Sequence, residues 1–104
     1  MSELRLDKPL SFWGGLDPAT GLVVDVHHPQ CGRSIAGKVL LLERTSGSTN
    51  SPGALLEAIR QGNGPTAIVL DAPDMTITTA VVLANELYGI EVPVTVKVSK
   101  RTRI

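Results

Sequence analysis

Cysteine, aromatic side chains and net charge are all scarce in this chain, and each shortage excludes something. Cys31 is the only cysteine among 104 residues, so no intrachain disulfide can form and no multi-cysteine metal or cluster site can be built from this chain alone. Phe12, Trp13 and Tyr88 are the whole aromatic set, too few for a base-stacking platform. Ten basic and ten acidic residues cancel, which argues against electrostatic binding to nucleic acid or to an anionic membrane. No apolar run is long enough to span a bilayer, and the N-terminus lacks a signal-peptide pattern, so a cytoplasmic location is the default expectation. Two histidines stand side by side, His27 and His28. In a strand they would point to opposite faces, and no nearby spacing of Asp, Glu or Cys completes a metal-ligand set.

What remains is ordinary globular material. Hydrophobic residues make up 42% and charged residues 19%, enough for one compact domain over residues 1–104 with a modest core. The organising stretch is Lys38 to Gln61. Val39 to Leu42 is an apolar run that suits a strand buried on both faces. Ser46 to Ser51 is a hydroxyl-rich turn with no bulky side chain. Ser51 suits an N-cap and Pro52 the first helical position. Leu55, Leu56 and Ile59 then share a helical face, and Gly62 supplies the stop. A well-capped strand-to-helix loop is the common outcome of such a pattern. The alternative is an anion site, because the N–H groups at a helix start favour a carboxylate or phosphate, and a serine hydroxyl in the turn can join the ligand.

Around this stretch the chain reads as an α/β domain. Leu4-Arg5-Leu6 suits an edge strand, and Leu22 to Val26 a second strand. Between them, Ser11 to Gly21 reads as an irregular loop carrying Trp13, which either anchors the loop on the core or lines a pocket or partner surface. Thr66 to Leu70 is a buried strand, Thr76 to Tyr88 a helix with an apolar face of Val82, Leu83, Ala84 and Leu87, and Ile90 to Val98 an edge strand interrupted by Pro93. Two consecutive strand–helix–strand units predict parallel pairing of the later strands, with helices at about 52–61 and 77–88. The amino-terminal strands, joined only by loops, are expected to form an antiparallel part. The basic residues Lys97, Lys100, Arg101 and Arg103 read as a solvated tail.

The segments PLSFWGGLDPATG, HHPQCGRSIAGKVLLL, GSTNSPGALLEAIRQGNGPTAIVL and ELYGIEVPV together resemble the small subunit of the aconitase X family, from about Leu6 to Val94. The resemblance implies a swivelling β/β/α domain with mixed parallel and antiparallel strands. It also implies a dehydratase acting on a small hydroxy acid, of the cis-3-hydroxy-L-proline or phosphomevalonate type, with the first favoured. In that family a large subunit carries the iron or iron–sulfur centre, so no cofactor is expected in this chain. The small subunit closes over the site and contributes a serine base from a Gly-Ser-Ser or Gly-Ser-Thr turn. The matching residue is Ser48, with Gly47, Thr49 and Ser51 as substrate-binding candidates. Trp13, Gly14, Gly15 and Asp17 stand in the loop expected to meet the partner or the site.

Two departures accompany the likeness. The approach to the turn is Glu43-Arg44-Thr45-Ser46 instead of a glycine-rich basic one, and the chain begins late and ends early relative to the family, so a first and a last strand are expected to be missing. A serine has the wrong pKa to act as a base in water. It needs a helix N-terminus, N–H donors and a cation to stabilise its alkoxide, the cation coming from Arg33, Arg44 or the other subunit. Two further functions stay open at this level: a swivel domain that is only an interaction or scaffold module, and a free anion-binding module at the start of the Pro52 helix. The last lacks the Gly-Lys-Ser/Thr ending of a phosphate loop.

Overall fold

A computed structural model describes residues 3–44 and 51–97, with the side chains of Trp13 and Ser51 outside that description. In chain order the elements are β1 (Glu3–Arg5), α1 (Phe12–Gly15), β2 (Leu16–Asp17), β3 (Leu22–Val23), β4 (Val39–Leu42), α2 (Ser51–Arg60), β5 (Ala67–Leu70), α3 (Met75–Tyr88) and β6 (Val94–Val96). Four strands form a parallel sheet in the order β1-β4-β5-β6, and β2 with β3 forms a separate antiparallel ribbon. The expected mixture of parallel and antiparallel pairing around two main helices is therefore present.

The register explains which face is buried. Leu4, Leu40, Ile68 and Val94 align across the sheet, and Leu42 aligns with Leu70. Leu4, Leu40, Leu42, Ile68 and Leu70 are all buried. The alternate residues Val39, Leu41, Ala67 and Val69 are only half-buried, so β4 is covered on one face where burial on both was expected. The cause is topological. Strands β4, β5 and β6 step across the sheet in one direction, and right-handed crossovers then lay α2 and α3 on the same face. The two helices touch each other there, and α1 touches α2. Leu55 and Ile77 from these helices are fully buried, each contributing about 1.5–3 kcal/mol relative to an exposed side chain.

Several local expectations change. β1 is an edge strand, but it runs parallel to β4, not in an antiparallel part. The connection over residues 6–38 is long enough to return the chain to the same end of the sheet. The 11–21 stretch contains a helical turn and a short strand. β3 stops at Val23 because Asp25 opens a turn, its carboxylate accepting from the His27 N–H (2.9 Å) and its carbonyl from the His28 N–H (3.0 Å). α2 includes Ser51, so the residue before the helix lies outside the described residues. In α3 the buried residues are Ile77, Ala80 and Ala84, while Val82 and Leu87 are exposed. Small alanines let α3 approach α2 closely, and the larger side chains are left outside.

Both helix ends of α3 are well made. Asp74 caps its start, accepting from the Ile77 N–H at 3.1 Å, and Gly89 closes it in the left-handed region. On α2, Glu57 accepts from Arg60 and Gln61; chiefly the Arg60 hydrogen bond holds the Glu57 carboxyl down to about 2. This pair is on the surface, where water screens it, so it braces the helix only weakly. What it contributes is present above the ordinary carboxylate range and is lost as pH falls towards 2.

Gly21 combines a left-handed backbone with a close approach to another main-chain atom. Its φ is +79°, and a Cβ there would sit 2.8 Å from the Asn63 carbonyl oxygen. Gly21→Ala is expected to destabilise the domain by more than about 1 kcal/mol. Asp74→Ala is expected to cost about 1 kcal/mol by removing the α3 cap. Urea unfolding curves followed by far-ultraviolet circular dichroism measure both.

Candidate functional site

In an open parallel sheet, ligand sites gather beyond the carboxyl ends of the strands. Here that end carries Arg5, Glu43, Arg44, Asp71 and Lys97. Arg5 at the end of β1 donates from Nη2 to Asp71 Oδ2 (3.2 Å) just past β5, so the pair spans the end of β4 between them. Backbone bonds extend the pairing beyond the strands: the Asp71 N–H donates to the Leu42 carbonyl (3.2 Å) and the Ala72 N–H to the Glu43 carbonyl (3.3 Å). The chain thus leaves β4 in a fixed direction before the connection to α2. The sequence did not single out Arg5 or Asp71. Their signal is positional: Arg5 ends β1 and Asp71 follows β5, each in register with the half-buried face.

The serine turn occupies this connection. Gly47, Ser48 and Thr49 lie outside the described residues, and of Ser51 only the backbone is described, as the first residue of α2. α2 has ten residues, and the N–H groups of its first turn have no partner within the helix. Its first turn carries no acidic residue that would compete for them. Arg44, exposed, is the last described residue before the turn, and Arg33 is exposed in a different loop.

The SFWGGLDP segment is held in shape by its glycines and by Asp17. Gly14 has a φ of +84°, and a Cβ on Gly15 would meet Leu10 Cδ1 at 3.0 Å. The Gly15 carbonyl accepts from the Val24 N–H (2.9 Å), tying the end of α1 to the residue that follows β3. Asp17 turns its carboxylate onto its own loop. Oδ1 accepts from the Ala19 N–H (3.0 Å) and Oδ2 from Thr20 Oγ1 (3.1 Å). Asn63, just beyond α2, donates from Nδ2 to the carbonyls of Pro18 (3.1 Å) and Ala19 (2.9 Å). The Asp17 turn therefore sits at the exit of α2, whereas the 43–50 connection enters that helix at its other end, about 15 Å away for a ten-residue helix. The structure brings the Asp17 turn to the exit of α2 and not to the helix start.

The histidine pair separates cleanly. His27 is exposed. His28 is 6% exposed, and both ring nitrogens are used. Nδ1 accepts from the Gln30 N–H (3.0 Å), which leaves Nε2 as the donor to the Lys8 carbonyl (2.9 Å). Gln30 repeats the link beside it, accepting from the Asp7 N–H (2.8 Å) and donating to Asp7 Oδ2 (2.9 Å). These bonds clasp the 28–30 loop to the segment that leads into α1. Cys31 is exposed, and among the described residues no group of three or more His, Cys, Asp or Glu side chains could hold a metal ion. His28→Ala leaves the Lys8 carbonyl and the Gln30 N–H without partners. It is expected to cost about 1–3 kcal/mol in thermal or urea unfolding, with His27→Ala near zero as its comparison.

Comparison with known proteins gives a consistent picture. A family profile described as "Aconitase X swivel domain" matches residues 3–103. The phosphomevalonate dehydratase small subunit of Thermococcus gammatolerans is 37% identical over 93% of this chain and 75% of its own length. A cis-3-hydroxy-L-proline dehydratase of Hypocrea jecorina is 40% identical over 84% of this chain, which spans only 15% of that longer protein. The crystal structure of Thermococcus kodakaraensis aconitase X in its holo-form superposes with a TM-score of 0.77 at 33% identity, covering 81% of this chain and 64% of that one. A sheet wound on one face, with an antiparallel ribbon beside it and the profile matched almost end to end, places this chain in the aconitase X swivel-domain family.

Proposed function

We propose that this chain is the small, swivelling subunit of a hydro-lyase that removes water from a small hydroxy acid, and that it works only when closed over a large subunit. The observation that carries this reading is the family match over residues 3–103 together with the retained Gly47-Ser48-Thr49 turn, which connects the carboxyl end of β4 to the start of α2. The relatives named above, a phosphomevalonate dehydratase small subunit and a cis-3-hydroxy-L-proline dehydratase, supply the two candidate substrates. The hydroxyproline is favoured. A cytoplasmic setting is part of the same reading.

Dehydration next to a carboxylate must remove a weakly acidic C–H proton and expel hydroxide. Ser48 Oγ takes the proton in this scheme. The alkoxide needs a positive environment, and the N–H groups at the start of α2 supply part of it. Arg44, four residues earlier, is a further source of positive charge; Arg5 is already paired with Asp71. The described residues of this chain do not fit a metal centre, so a Lewis acid that assists departure of hydroxide belongs to the large subunit in this reading. The substitution of Glu43-Arg44-Thr45-Ser46 for a glycine-rich approach favours one competing role, a swivel domain that assembles without contributing chemistry.

One assay separates the two. The chain is mixed with its cognate aconitase-X-type large subunit and supplied in parallel with cis-3-hydroxy-L-proline and phosphomevalonate. Turnover is expected to require both chains, and Ser48→Ala is expected to lower kcat by about 10²–10⁴-fold in a complex that still assembles. Full activity of an assembled Ser48→Ala complex would reduce this chain to a scaffold.

A further inference from the structure

α3 is apolar on more sides than its packing explains. Glu86 is its single charged residue, and the rest of MTITTAVVLANELY is aliphatic, small or neutral. Its solvent-facing side mixes exposed Thr78, Asn85 and Glu86 with large aliphatic side chains that a solvated helix face has no need of. Here Ile77, Ala80 and Ala84 take the inner face, yet Met75 is 78%, Val82 52% and Leu87 60% exposed. The apolar surface continues past the helix end. A cleft of about 350 Å³ is lined by Val81, Val82, Asn85, Glu86, Glu91 and Val92. A second, of about 340 Å³, shares Glu91 and Val92 and is bounded by Ile59, Pro65 and Ile90. The charged residues that line the two clefts, Glu86 and Glu91, are both acidic. Neither Glu86 nor Glu91 forms a salt bridge among the described residues, and neither cleft is lined by a lysine or arginine.

Resting on the subunit reading above, we propose that the outer face of α3 and the adjoining clefts are the docking surface for the large subunit, which presents an apolar patch with lysine or arginine opposite Glu86 and Glu91. A second copy of this chain fits less well, because two-fold pairing about α3 would set the acidic cleft against another acidic surface. The placement also suits the chemistry. Met75 begins α3 just past the carboxyl end of β5, the end of the sheet from which the Ser48 connection departs, so a partner lying along α3 reaches that end too.

The test is titration calorimetry of the full chain against the cognate large subunit, with sedimentation equilibrium of the chain alone. Val82→Asp is at an exposed site and should leave the unfolding midpoint nearly unchanged. It is expected to weaken binding at least tenfold. The double change Glu86→Lys with Glu91→Lys should weaken it similarly at low salt and less at high salt. Unchanged affinity for both variants would overturn the docking face and leave the subunit reading standing. A wild-type chain that binds no large subunit would overturn that reading and this proposal with it. A homodimer dissolved by Val82→Asp would assign the face to self-association and overturn the proposal alone.

Discussion

Everything in this domain depends on one alternation: Leu40 and Leu42 on β4, repeated by Ile68 and Leu70 on β5, form a two-by-two block of side chains on a single face of the sheet. A slip of one residue would turn that block to the opposite face and strand the helices without a surface to cover. Because the strands advance in one direction, all the crossover mass collects on the block. α2 and α3 pack there, and α1 joins them through α2. The other face keeps half-buried aliphatics and carries the Arg5–Asp71 pair at its carboxyl end.

This asymmetry explains why some of the fold was legible and some was not. The β4-α2-β5-α3-β6 run was read directly, because each element has its own period or stop, such as Gly62 after α2 and Gly89 after α3; the Asp74 cap of α3 emerged only in the structure. β1 was misplaced because nothing in three residues tells parallel from antiparallel pairing. That choice is made by the path of residues 6–38. The face of α3 was misread because hydrophobicity ranks valine and leucine above alanine, while close helix packing selects the small residue. The outward valine and leucine then become informative, since local packing alone does not account for them.

The candidate site divides in the same way. The serine turn and the SFWGGLDP segment stood out in the sequence because glycines, hydroxyls and aromatics cluster there. The roles of Asp17, His28 and Asn63 did not, because each depends on a partner distant along the chain or on its own backbone geometry. Asp17 spends its carboxylate on its own turn, and Asn63 spends its amide on the carbonyls of Pro18 and Ala19. His28 spends both ring nitrogens on a clasp. Polar residues that look available in a sequence can thus be fully occupied in holding a loop, and the chemistry is left to those whose partners come from another chain.

The parallel pairing of β1 with β4 has a consequence for the order in which the molecule is assembled. Glu3–Arg5 leaves the ribosome before its partner Val39–Leu41, which is synthesised only after the whole 6–38 excursion. β4, β5 and β6 close through successive strand–helix–strand units of somewhat shorter separation. Closing the 6–38 excursion costs slightly more entropy and returns three residues of pairing. Until β1 docks, the hydrogen-bonding edge of β4 stands open to any other extended chain.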